Sequence, residues 1–310
     1  MGLLIKRAVV LAKIETTYNT DSVPTATADA VLVENLQYAP AEQRMYQQPT
    51  VGATLAMVAQ VYGGSLLQVT FDVALKGSGA LGTAPDVGVF LRACGIGETI
   101  SAGVSVTYKP VSASQESITI YLYEDGKRYV LTGVRGNVSF SGTVGEPGKL
   151  SFTLTGHWTS PATVTLPTPT LDATIAPVLL SAGFTVNSYS AVISAFSYDL
   201  GNTVAFPPDI NAPDGFSEII ITGRDVNGSI DPEEVLVATQ DFVTLWKSGT
   251  PMAMSTGVIG ANAGNRWQKS LPKITYRDWA TGDRDGVRTA EMPFGAEEVN
   301  GDDEISLVFT

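Results

Sequence analysis

A unit of two strands separated by a long loop and followed by one amphipathic helix occurs twice in this chain. That repeat limits the fold more than any single motif does. The clearer copy runs from Ala195 to Gly249. Its opening AFSYDLGN alternates Phe196, Tyr198 and Leu200 with Ser197 and Asp199, the period of a strand with one wet face. A Pro/Asp/Gly-rich loop from Val204 to Gly215 leads to SEIIITGRD, Ser217–Asp225, where consecutive isoleucines at 219, 220 and 221 predict a second strand. Asn227-Gly228 predicts a turn. Asp231-Pro232-Glu233-Glu234 predicts a helix start, with Asp as N-cap, Pro at N1 and Glu at N3. Val235, Ala238, Phe242, Leu245 and Trp246 would share one face of that helix, and Gly249 would end it.

The earlier copy places LLQVTFDVAL, Leu66–Leu75, where the later one has Ser217–Asp225. LGTAPDVGVFLRACG, Leu81–Gly95, predicts a helix with Pro85 early, a face of Val87, Phe90, Leu91 and Cys94, and Gly95 at its end. Aligning VFLRACG with FVTLWKSG sets the copies about 153 residues apart. A β-rich tract closed by a hairpin follows each helix: Gly136–Gly156 in the first copy and Pro272–Gly295 in the second. Few identities survive, so the repeat is one of pattern.

A chain of 310 residues accommodates two domains of about 150 residues each, which agrees with the repeat. Abundant glycine and proline among Val, Ile and Thr point to β structure rich in turns. Cys94 is the single cysteine, which excludes an intrachain disulfide, and its place on an apolar helix face makes it a core residue. With His157 the only histidine, neither a zinc site nor Ser-His-Asp or Cys-His catalysis has the residues it needs. The net charge of −12 is lopsided, −1 over residues 1–168 and −11 over residues 169–310. A strongly acidic half argues against reading nucleic acid, which needs Lys and Arg on phosphates, but suits a surface that repels it. At the N-terminus, AVVLA is too short for a secretory core and is followed by Lys13; Gly2 lacks the myristoylation pattern; no stretch approaches ~20 apolar residues. The expectation is a chain that starts in a cytoplasm, without membrane contact.

Along the chain, residues 1–28 read as an arm that would order on a neighbouring subunit. Ala30–Tyr38 is the first expected strand, and Pro40–Gly64 is a connection long enough to carry function. Ser101–Val111 reads as a strand. Ile118, Ile120 and Leu122 alternate into a hairpin at Asp125-Gly126. The proline-rich His157–Pro177 reads as a linker or extended edge. The acidic tail Glu297–Thr310 ends in an alternating strand, Ile305, Leu307 and Phe309, that needs a sheet edge, its own or a neighbour's.

RAVVLAKIETTYNTDSVPTATADAVLV, FSYDLGN, DGFSEIIITGRDVNGSIDPEE and the closing NGDDEISLVF resemble major tail tube proteins of long-tailed, non-contractile bacteriophages. The resemblance spans the chain and implies a mainly β fold: two tandem tail-tube-like β-sandwich or partial-barrel domains, 1–168 and 169–310, each with one flanking helix. Many tube proteins carry one such domain, so two per chain replace a six-subunit ring by a trimeric ring of pseudo-sixfold symmetry. The resemblance also implies a non-enzymatic virion protein with no cofactor and no metal. Its partners would be itself, tail terminator and distal tail proteins, a tape measure protein inside the tube, and viral DNA passing through unbound. Its location would be the virion tail, after synthesis in the host cytoplasm.

Other sites have simpler explanations. Asp225, Asn227, Ser229 and Glu234 only loosely mimic a calcium loop. Gly282–Gly286 and Asp302–Glu304 read as solvated turns, and Trp158, Trp246, Trp267 and Trp279 as core or interface anchors. Nothing brings two carboxylates to a cleft for glycoside hydrolysis. The polar faces of Leu66–Leu75 and Ser217–Asp225 are the expected lining of the tube lumen, with Asp72, Glu218 and Asp225 as lumen-facing carboxylates. The rival reading is a secreted β-rich carbohydrate- or ligand-binding module, which the missing secretory signal disfavours.

Overall fold

The computed structural model describes residues 3–49, 51–52 and 54–310. Thr50 and Ala53 of the Pro40–Gly64 connection, and Met1 and Gly2 of the arm, lie outside the described residues. The chain is mainly β, 48% strand and 4% helix, in large antiparallel sheets that do not close into a barrel.

In the first half, Glu34–Ala41 pairs with Leu66–Ala74, which pairs in turn with Lys149–Thr163 and so with Lys127–Thr143. Ile118–Glu124 follows, and Ala8–Ile14 lies beside it. The alternation in LLQVTFDVA is what allows this order: Leu67, Val69, Phe71 and Val73 are buried, while the residues between are half-exposed. Phe71 meets Phe90 at 4.7 Å and Phe152 at 5.5 Å between ring centroids. Burying each such ring stabilises the fold by about 1.5–3 kcal/mol.

The second half repeats this wiring. Ala195–Asp199 pairs with Asn227–Ile230, which pairs with Val287–Ala296; that strand pairs with Ala280–Arg284 and with the end of Trp267–Tyr276. In both halves the first pair is interrupted by a two-stranded excursion: Met45–Gln47 with Gln60–Tyr62, and Asn202–Ala205 with Ile220–Arg224. In both, the pair is followed by a short helix, α1 (Gly88–Ala93) or α2 (Phe242–Ser248). This topology corrects the alignment of the repeat. The counterpart of Leu66–Ala74 is Asn227–Ile230, the strand after the excursion; the isoleucine strand at 220–224 belongs to the excursion itself.

Two strand pairings fuse the halves. Lys127–Thr143 takes up Ala195–Asp199 along its outer edge, with Phe140 opposite Tyr198, and the C-terminal Ser306–Phe309 lies between Trp267–Tyr276 and Ser105–Pro110. One hydrophobic cluster therefore runs through both halves, from Phe71 and Phe90 to Trp267 and Phe294.

Three further segments find their places within the chain. The arm is not free: Ala8–Ile14 is a strand with Val10, Leu11 and Ala12 buried in its own chain. The acidic tail ends inside its own sheet, with Ile305, Leu307 and Phe309 buried. The proline-rich stretch takes the second of its two readings over residues 157–163, an extended edge that ends strand Lys149–Thr163 and pairs with Lys127–Thr143 alone, and His157 sits on it.

The second helix begins at Phe242, capped by Asp241, whose carboxylate accepts from Thr244 N at 2.9 Å; Gly249 ends it in the left-handed region, φ 58°. Asp231 is occupied elsewhere. It accepts from Ser194 N at 2.9 Å and Ala195 N at 3.0 Å, bonds Ser194 Oγ, and is ion-paired with Arg284 at 3.0 Å. A carboxylate so engaged cannot turn to cap the chain after it. Val235, Leu236 and Val237 are left on an exposed connection.

Candidate functional site

Asp72 stands on the half-exposed face of Leu66–Ala74, next to Ser151 across the ladder. Its carboxylate accepts from Ser151 Oγ at 2.6 Å and Asn35 Nδ2 at 2.7 Å, and no cation pairs with it among the described residues. On the same side, Lys149 is paired with Glu34 at 2.9 Å. Glu218 and Asp225 flank the strand Ile220–Arg224 and do not belong to it. Glu218 is paired with Arg135 at 2.8 Å. Asp225 holds Arg277 through both oxygens, at 2.6 and 3.2 Å, and the guanidinium keeps its carboxyl below the usual range. Two of the three carboxylates thus have their charge countered by an arginine, while Asp72 has no ion-pair partner among the described residues, with Lys149 its nearby cation. The strand Ile220–Arg224 brings Glu218 and Asp225 to its two ends, while no hydrogen bond or ion pair joins either to Asp72.

The residues considered for calcium also have other partners: Asp225 has Arg277, and Glu234 is paired with Arg288. Among the described residues no group of three or more His, Cys, Asp and Glu side chains converges as a metal site requires.

A relay that the sequence reading missed ties the second excursion to the first half. Ile219 N–H donates to Tyr18 Oη at 2.7 Å; Tyr18 Oη lies 3.0 Å from His157 Nε2; His157 Nδ1 lies 2.6 Å from Asp214 Oδ2. The imidazole is thus held at both ring nitrogens, by the Tyr18 hydroxyl on one side and the Asp214 carboxylate on the other. Both ends of this relay lie on one loop, so one histidine and one tyrosine clip residues 214–219 to the first half. Burial pushes the Tyr18 phenol up to about 12, keeping it a donor throughout the physiological range. Arg135, itself buried, adds Ile219 O at 2.5 Å, Gln115 O at 2.7 Å and the Glu218 pair.

Beside the clip is a cleft of about 570 Å³, walled by Tyr62, Trp158, Phe216 and Pro213, with His157 and Asp214 at its polar end. Among the described residues the hydrogen-bond partners of the His157 ring are Tyr18 and Asp214, and neither is a serine or cysteine. Above the cleft, Arg44 from the first excursion lies over the Phe216 ring, 4.0 Å from its centroid, and donates to Gly215 O at 2.9 Å. The two excursions are therefore held together, with Met45, Tyr46, Leu55, Met57, Val61 and Tyr62 of the first exposed. Contiguous exposed apolar patches are a common mark of protein–protein contact surfaces.

The arrangement is one of edges and loops placed for contact. Comparison with known protein families agrees: the phage tail tube protein family matches residues 5–307, nearly the whole chain. No curated protein matches it.

Proposed function

The chain belongs to the phage tail tube protein family, whose members are structural parts of the virion tail, and on that premise we propose that it polymerises into stacked rings that conduct the viral genome. The observation that carries this reading is the repeated wiring of the two halves, each a strand pair with an excursion and a helix, already joined edge to edge. Two tube-like units per chain, residues 1–168 and 169–310, allow three chains to close a ring of six units, and head-to-tail contacts that close are the usual route to a ring. The exposed apolar excursion residues supply the surface for stacking. Tail terminator and distal tail proteins would cap the ends of such a tube, and a tape measure protein would fill it during assembly.

The lumen must let DNA slide without sticking. A basic wall would bind phosphate through counterion release, whereas an acidic one repels it over a Debye length of about 8–10 Å. Asp72, Glu218 and Asp225 remain the proposed lumen carboxylates, with Asp72 the one not held in an ion pair among the described residues. Electron microscopy of the purified protein tests the assembly: rings of three chains and tubes are expected, and dispersed monomers or rings of six whole chains would overturn it. Asp72→Lys tests the lumen: tubes should form normally and release DNA more slowly, and an unchanged release rate removes Asp72 from the wall.

A further inference from the structure

The outer strands of the two interrupted pairs differ in one respect. Ala195–Asp199 is paired on both sides, with Asn227–Ile230 of its own half and with Lys127–Thr143 of the other. Its counterpart Glu34–Ala41 is paired only with Leu66–Ala74, and among the described residues no backbone hydrogen bond meets its other edge. The hairpins show the complementary difference. Lys127–Thr143 has the second half along its outer edge, whereas Ala280–Arg284 pairs only with Val287–Ala296. Each chain thus has one filled seam and the two unmatched halves of another.

The ladders fix the register of the missing seam. Ala41 opposite Leu66 opens the first interrupted pair as Asp199 opposite Asn227 opens the second. Leu154 then faces Val69 as Met292 faces Ile230. Ser139 faces Ser151 as Gly282 faces Thr289. The filled seam pairs Ser139 with Asp199, Phe140 with Tyr198 and Ser141 with Ser197. Carried across the repeat, these become Gly282 with Ala41, Asp283 with Pro40 and Arg284 with Ala39.

We propose that Ala280–Arg284 of a second copy of this chain adds antiparallel to the open edge of Glu34–Ala41 in this register, resting on the ring reading above. The two seams are chemically unequal. In the filled one, Phe140 and Tyr198 are buried and stacked, 5.5 Å between centroids at 24°. Their counterparts Asp283 and Pro40 are both exposed, and proline brings no N–H to the ladder. The second hairpin also turns at Asp285-Gly286, while the first runs on to Thr143 before turning. The chain-joining seam is therefore shorter and polar, and a ring comes apart between chains before its halves part.

Residues directly opposite across an antiparallel ladder have Cα atoms about 4.5–5.5 Å apart, within the range of about 4.4–6.8 Å that a disulfide spans. Pro40→Cys with Asp283→Cys in one chain, assembled and then oxidised, should give a covalent ladder ending at three chains. Cys94 is fully buried and adds no background. Ser141→Cys with Ser197→Cys is the control, closing a loop within one chain. Should the double variant fail to assemble, the two single variants mixed with each other should cross-link to dimers only. If wild-type protein forms rings and neither the double variant nor the mixture cross-links while the control does, this seam is wrong and the ring reading stands. If wild-type protein forms no rings, the ring reading falls and the seam with it.

Discussion

Lys269 offers the sharpest test of how the two halves are held together. The side chain is fully buried, its Nζ 2.8 Å from Tyr198 Oη and 3.1 Å from the centroid of Phe140, directly under the filled seam. No carboxylate faces it, and burial holds its pKa well below the ordinary lysine value. Between that lowered pKa and the unfolded value of about 10.4, the unfolded chain binds one more proton than the folded one. Stability must therefore rise with pH in that window, by about 1.4 kcal/mol per pH unit at most. Tyr198, pushed up by burial, opposes this only above pH ~10, where the unfolded phenol ionises. Lys269→Met keeps length and volume and removes the titration. Urea unfolding followed by tryptophan fluorescence at pH 7.5 and 9.5 should show wild type gaining up to about 2–3 kcal/mol over the interval relative to the variant. The variant should be the more stable protein at pH 7.5, and the difference should shrink toward pH 9.5. A variant destabilised at pH 7.5, or parallel pH dependence in the two proteins, would show that the ammonium is retained and held by the aromatic faces, and would refute the reasoning.

Three other outcomes follow from the contacts above. Tyr18→Phe leaves Ile219 N–H without its acceptor and His157 Nε2 without its hydrogen-bond partner, so stability should fall by about 1–3 kcal/mol and amide exchange at Ile219 should quicken; unchanged exchange there would mean that the clip does not hold the loop. Replacing residues 43–63 by a two-residue turn should keep the register of Glu34–Ala41 with Leu66–Ala74, and so a folded chain by circular dichroism, while abolishing polymerisation by sedimentation; normal tubes would exclude the first excursion as an assembly element. Phe140→Ala, at the filled seam, should cost about 3–5 kcal/mol by the same urea assay, and a loss below 1 kcal/mol would show that the seam does not depend on this ring.

Where one face of a strand is buried, the sequence carried the answer. The alternation at Leu66–Ala74, the turn at Asp125-Gly126 and the buried Val87, Phe90, Leu91 and Cys94 around α1 all follow from local pattern. The Asp231 helix start failed for a different reason. The signal was a correct description of what aspartate and proline can do locally, but Ser194, Ala195 and Arg284, distant in sequence, bind that carboxylate first. Ala8–Ile14 was passed over because seven residues with one lysine have little periodic signal, and what buries them is a strand more than a hundred residues away.

The site residues were legible in proportion to how locally they act. Asp72 could be placed because its strand has a clear dry face, and the sequence therefore fixes its exposure. Glu218 and Asp225 could be named but not matched to their counter-charges, since Arg135 and Arg277 approach them from other parts of the chain. Tyr18, His157 and Asp214 left no pattern at all: three residues from the arm, the first half and the second excursion meet only when the halves are joined. The same holds for the open edge at Glu34–Ala41. Its composition resembles that of any half-exposed strand, and the edge is recognisable as incomplete only beside Ala195–Asp199, whose equivalent edge is filled. The second half supplies that standard of comparison, and the difference between the two edges is what the proposed seam is built on.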